Sequence, residues 1–160
     1  MAVAKLVETV NTDIAAKDRS AIAQGLGRYF AATYELLLST QLVHWNLKGS
    51  TFYSIHKLTD GQYNALFATV DELAERMRAL GSFVPAEGAN KEFSVAAQIS
   101  GKDISAMIEE LAKMHEEGAR TARELASTAD DADDIVTNDM LVDCIKFHEK
   151  AIWMLRASNG

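Results

Sequence analysis

The stretch FYSIHKLTDGQYNALFATVDELAERMRALG, residues 52–81, decides the fold class. Tyr63, Phe67, Val70, Ala74 and Met77 recur within it at alternating steps of four and three, which lays one apolar stripe along a helix from about Phe52 to Leu80. Gly81 can take the left-handed conformation that ends a helix, and Pro85 blocks any continuation. Upstream, Ile22, Leu26, Tyr29, Phe30, Leu37 and Val43 have helical spacing and predict a first helix from about Arg19 to Lys48, stopped at Gly49. Downstream, Asp103 can cap a third helix whose buried side carries Ile104, Ile108, Leu111, Ala122 and Leu125, with Gly118 as a mild internal cost. The acidic run ADDADD, residues 129–134, suits the positive end of a fourth helix, which carries Ile135, Phe147, Ile152 and Leu155. Between the second and third helices, residues 82–102 hold Gly88, Asn90 and Gly101 around an apolar piece at 93–99, so a long connection with one short helix is expected.

Composition agrees with this outline and narrows the chemistry. With 160 residues and 48% apolar content, the chain is long enough for one core and short for two, so a single domain over 1–160 is expected, with a short tail at about 1–18. A single proline and abundant Ala, Leu, Glu and Lys favour helices over strands, making the fold class all-α. Cys144 is the lone cysteine, which excludes an internal disulfide, and MAVAKLVETV does not resemble a secretory signal. A reducing, cytoplasmic location is the expectation. No run of about 18 apolar residues is present, so no membrane partner is expected. The net charge of −7 argues against a basic nucleic-acid face and leaves cations as partners.

Histidines and carboxylates on the first two helices give that cation preference a location. On the second helix His56, Asp60, Asp71 and Glu75 fall at roughly 0°, 40°, 60° and 100° around the axis, so one side displays four potential ligands. His44 follows Phe30 and Leu37 at seven-residue steps and belongs at an interface of the first helix. Imidazole with carboxylates suits Fe(II), with Zn(II) as a substitute, whereas an all-oxygen set would suit Mg or Ca. Asp60 and Asp71, however, are 11 residues apart, about 16 Å along a helix, so they cannot share one metal within a straight helix. If two copies meet across a twofold axis, the His56 and Asp60 end of one second helix can face the Asp71 and Glu75 end of the other. A metal site shared between chains is therefore predicted. The bland alternative is that Asp71 and Glu75 are solvated, with Glu72 or Glu75 pairing with Arg76 or Arg78.

HWNLKG (44–49), Phe52, His56, Asp60, DELAERMRALG (71–81) and HEKAIWML (148–155) together make the chain resemble the Dps family, the DNA-binding proteins from starved cells or mini-ferritins. The resemblance covers most of the chain. It implies a ferritin-like four-helix bundle with a short helix in the crossover between helices 2 and 3. It also implies a homo-oligomer of twelve subunits that oxidises Fe(II), preferentially with hydrogen peroxide, and stores ferric mineral, protecting against oxidative damage. The ferroxidase ligands carried over are His44, His56 and Asp60 from one subunit with Asp71 and Glu75 from its twofold mate. By the same resemblance, Asp130, Asp131, Asp133 and Asp134 are candidates for an iron-admitting pore. Larger ferritins hold a di-iron centre inside one bundle through ExxH pairs, but neither His115 nor His148 has a glutamate three residues earlier.

Other readings stand beside these. Trp45, next to a proposed ligand, is a candidate electron donor to strong oxidants, or else fills a helix interface. His115, beside Glu116 and Glu117, is read as exposed, and Cys144, Met107 and Met114 as packing residues. The alternative function is DNA condensation in the nucleoid, as some family members perform through lysine-rich tails. Here Lys5, Lys17 and Arg19 are offset by Glu8, Asp13 and Asp18, and only Arg156 precedes the C-terminal SNG, so the tails are poor phosphate binders.

Overall fold

The computed structural model describes residues 10–84 and 103–159. Four helices form among them: α1 (Ala16–Asn46), α2 (Phe52–Ala79), α3 (Ile104–Asp130) and α4 (Ile135–Ala157). The expected short crossover helix, Pro85 and residues 1–9 of the expected tail lie outside the described residues.

Local chemistry sets the helix ends. α1 stops two residues before Lys48 because Leu47 turns to extended backbone and buries its side chain; the chain then reverses through Gly49 at φ 91°. At the end of α2, Gly81 adopts φ 87°, its N–H donates to the Arg78 carbonyl and the Ser82 N–H donates to the Met77 carbonyl. This pair of reversed hydrogen bonds satisfies carbonyls that the helix end would leave bare. Asp103 caps α3 by accepting from the Ala106 N–H, and Asp134 caps α4 by accepting from the Thr137 N–H.

Two apolar clusters reveal how the helices run. One joins Ile22, Leu26 and Tyr29 of α1 to Leu73 and Met77 of α2, Leu125 of α3 and Leu141 of α4. The other joins Leu37 and Val43 to Ile55 and Leu66, Ile108 and Leu111, and Leu155. The start of α1 therefore lies beside the ends of α2 and α3 and the start of α4. α1 is antiparallel to α2 and α3, so α2 and α3 point the same way, and the end of α2 and the start of α3 lie at opposite ends of the bundle. That is a four-helix bundle with one long crossover.

The stripe read from residues 63–77 is not the core face of α2. Val70 and Met77 are buried, but Tyr63 and Ala74 are half-buried and Phe67 is 67% exposed. The buried face is Ile55, Thr59, Gln62, Leu66, Val70, Leu73 and Met77. Tyr63, Ala74 and Phe67 lie about 60°, 80° and 100° round the axis from the centre of that face, and Phe67, the farthest round, is the most exposed. On α4, Leu155 is buried as expected while Ile135 is 75% exposed, because the first turn points Thr137 inward, about 200° round the axis from Ile135.

Candidate metal centre

His44 lies in the last turn of α1 and His56 in the first full turn of α2, so the tight 47–51 connection brings them together. Their rings stack with centroids 3.7 Å apart and planes 19° from parallel. Each ring also binds the other's backbone. His44 Nδ1 is 3.0 Å from the His56 carbonyl, and His56 Nδ1 is 3.1 Å from the His44 carbonyl. A carbonyl only accepts, so both Nδ1 atoms carry protons. The second neighbour of His44 Nδ1, Thr59 Oγ1 at 3.2 Å, also accepts, since its own hydrogen goes to the Ile55 carbonyl at 2.7 Å. An imidazole protonated at Nδ1 alone keeps its lone pair on Nε2, the form that ligates a metal. One of the carbonyls used, that of His44, is among those left without an intrahelical partner at the end of α1.

Tyr63 connects these rings to Asp60. Its hydroxyl donates to Asp60 Oδ1 at 3.0 Å, and its ring meets His44 edge-on with centroids 5.2 Å apart. The Asp60 bond raises the Tyr63 phenol above its ordinary pKa. Phe52 stacks against His56 with ring centroids 5.0 Å apart. Reading Tyr63 as a core residue missed this role; its place one turn after Asp60 was the available signal.

Asp71 and Glu75 are exposed on the far half of α2 and do not reach the histidines. Among the described residues, no three His, Cys, Asp or Glu side chains of one chain converge as a metal-holding group. Pairing of Arg76 with Glu72 or Glu75 is not what forms: its guanidinium goes to Asp134 Oδ1 at 2.6 Å.

Residues 23–159 match the ferritin-like domain family. DNA protection during starvation protein 2 of Bacillus anthracis is 30% identical over 118 residues, spanning 71% of this chain and 80% of that one. The chain belongs to the Dps family. The Dps structure from Thermosynechococcus elongatus has a TM-score of 0.75 at 28% identity, over 88% of this chain and 90% of that one. A Dps protein from Vibrio cholerae O1, described as a member of a broad superfamily of ferritin-like diiron-carboxylate proteins, shares the fold at TM-score 0.78 and 24% identity, over 94% of this chain and 96% of that one.

Within this Dps chain the four acids between the end of α3 and the start of α4 divide, with Asp130 the last residue of α3 and Asp134 the N-cap of α4. Asp130, Asp131 and Asp133 are exposed, whereas Asp134 is 1% exposed and accepts from Arg76, from the Thr137 N–H at 3.0 Å and from Thr137 Oγ1 at 2.5 Å. Burial alone would raise its pKa, but the bonds from Arg76 and Thr137 prevail and hold it below the ordinary carboxylate value. Asp134 is thus committed to capping and ion pairing, which corrects its grouping with the pore acids. Trp45 is 62% exposed, so it fills no helix interface within its own chain.

His115 overturns the expectation of exposure: it is fully buried, as is His148 at 2% exposure. Glu116 and Glu117 do point outward, pairing with Arg156 and Arg120, but one residue earlier along a helix means about 100° of rotation, which turns His115 into the bundle. No helix is long and apolar enough to cross a membrane among the described residues.

Proposed function

We propose that this chain is a ferroxidase subunit of a mini-ferritin cage, with Fe(II) as substrate, and that each oxidation site is completed across a twofold axis. The observation that carries the reading is the reciprocal His44–His56 pair. Two imidazoles are held through Nδ1 by backbone carbonyls, which leaves Nε2 as the lone-pair donor of each, next to Asp60 where the end of α1 meets the start of α2. Asp71 and Glu75 of a twofold mate supply the remaining carboxylates. Iron is the reading supported by the donor set, with zinc as a competitor for the same imidazoles.

In the reaction two Fe(II) ions each give one electron to hydrogen peroxide, which takes up two protons and leaves as two water molecules. Ionised carboxylates favour this direction, because an additional positive charge on iron strengthens each anionic contact. Peroxide consumed together with Fe(II) cannot form hydroxyl radical, so the protein protects while it stores. Asp130, Asp131 and Asp133 are the acids proposed to draw Fe(II) inward through a pore, and exposed Trp45 a donor to stray oxidants. The proposed assembly is a cytoplasmic dodecamer.

Subunit complementation tests the shared site. One variant carries His44→Ala with His56→Ala, the other Asp71→Asn with Glu75→Gln, and each alone is expected to assemble but oxidise Fe(II) slowly after peroxide is added. Co-assembled in equal amounts, they should regain about a quarter of the wild-type sites, since half of the dimers are mixed and each mixed dimer has one intact site. No recovery on mixing would refute the composite site, and full activity of the histidine variant would refute the ligand assignment.

A further inference from the structure

Between the two apolar clusters the bundle encloses a run of polar groups that the metal chemistry leaves unused. The Tyr29 hydroxyl is 2.8 Å from His148 Nε2, and His148 Nδ1 is 2.9 Å from His115 Nδ1. Tyr29, His148 and His115 are 1%, 2% and 0% exposed, and His115 Nε2 has no hydrogen-bond partner. The Cys144 thiol lies against the Tyr29 phenol. A cleft lined by Thr33, Glu35, Met114, Glu117 and Thr121 ends on Tyr29 and His148.

Protonation states in this run follow from burial. Burial pushes His148 down to about 4, and burial with the neighbouring His148 pushes His115 down to about 3, so both rings are neutral near pH 7. Burial likewise drives the Tyr29 phenol well above its ordinary range and the Cys144 thiol up to about 11. The phenol therefore keeps its proton. With Tyr29 donating to His148 Nε2, the His148 Nδ1–H donates to His115 Nδ1, and one direction of donation runs through all three groups.

A phenol that loses an electron becomes a strong acid, so its oxidation is easy only where a base waits at hydrogen-bond distance. We propose that Tyr29 is a redox-active tyrosine, a one-electron trap for hydroxyl-radical-class oxidants, whose phenolic proton passes to His148 as the electron leaves. The electron reduces the hydroxyl radical to hydroxide, which solvent protonates to water. The phenolic O–H bond breaks, an N–H bond forms at His148 Nε2, and Tyr29 is left as a neutral radical. His115 shares the charge through the Nδ1 contact. Burial keeps the radical away from reductants and from other chains. The inference goes beyond the iron reading, and its test uses no iron.

The assembled protein is oxidised by photogenerated ruthenium(III) tris-bipyridyl and frozen for electron paramagnetic resonance. The expected result is a long-lived tyrosyl signal with a proton coupling that disappears in D2O, from the N–H facing the radical oxygen. Tyr29→Phe, which keeps the ring and removes the hydroxyl, should lose this signal, while Tyr34→Phe combined with Tyr53→Phe should retain it. An unchanged spectrum and decay in Tyr29→Phe would overturn the proposal. A Tyr29 signal with no exchangeable coupling in the wild type would overturn the part played by His148.

Discussion

Replacing Gly118 by alanine probes whether the buried histidine run is as tightly set as its geometry implies. A Cβ at this position would lie 2.7 Å from both Cε1 and Nε2 of His148 and 3.2 Å from its Nδ1. The ring cannot swing aside freely, because Tyr29 holds Nε2 and His115 faces Nδ1. Overpacking of this kind costs about 1–3 kcal/mol, and displacing the ring from Tyr29 loses a buried hydrogen bond worth about 1 kcal/mol. Against this, alanine in place of glycine inside a helix gains about 1 kcal/mol. The net expectation is destabilisation by about 2 kcal/mol, a fall in Tm of about 4–8 °C for a chain this long. The control is Gly61→Ala on α2, where an added Cβ meets nothing within 4 Å and the same propensity gain should raise Tm slightly. Differential scanning calorimetry of the assembled proteins at one concentration makes the comparison. A Gly118→Ala protein that melts at or above wild type would show that His148 is not held by its partners.

Acid should weaken the fold through the same histidines. Their pKa values fall from 6.5 to about 4 for His148 and about 3 for His115, so below pH 6.5 the unfolded chain binds protons that the native chain refuses. Stability is then complete above pH 6.5 and declines towards pH 4, by about 3 kcal/mol for His148 alone; equal urea midpoints at pH 7 and pH 4.5 would contradict this. Asp134→Asn should destabilise by about 3 kcal/mol, since it leaves the largely buried Arg76 charge without its partner; a urea midpoint that barely moves would show that Thr137 and solvent suffice. Tyr63→Phe should weaken Fe(II) binding by about tenfold in anaerobic titration calorimetry while leaving assembly intact, because Asp60 loses the donor that orients it; unchanged affinity would remove Tyr63 from the site.

What the sequence discloses here follows the range of the interaction concerned. Gly81, Asp103 and Asp134 could be read as helix ends because each acts within a few residues of itself, whereas Asp130 and Asp131 close α3 instead of opening α4. His44 and His56 are brought together by the family resemblance, and the five-residue connection between their helices is the local reason they meet. His115 could not be placed, because the reason for its burial is His148, 33 residues away, and its immediate neighbours are glutamates. Gly118 looked like a mere weakness in α3 for the same reason: the side chain that needs its space lies on α4. Asp134 resembled its acidic neighbours until the fold delivered Arg76 from α2.

The misread stripe on α2 is also the strongest physical argument for a partner. A helix in a self-contained bundle needs one apolar face, yet α2 carries apolar side chains beyond that face, and the farthest round, Phe67, is 67% exposed among the proposed ligands. Phe67 lies within about 3 Å along the axis of the midpoint between the His56/Asp60 end and the Asp71/Glu75 end. A dyad through that midpoint would set the histidine end of each α2 against the acidic end of the other and bring the two Phe67 rings together at the centre. One operation would thus remove exposed apolar surface and complete two ligand sets, whereas a monomer satisfies neither demand. Surface chemistry and the proposed metal chemistry on α2 ask for the same symmetry, and under it the proposed half-site of a single chain becomes one part of a whole.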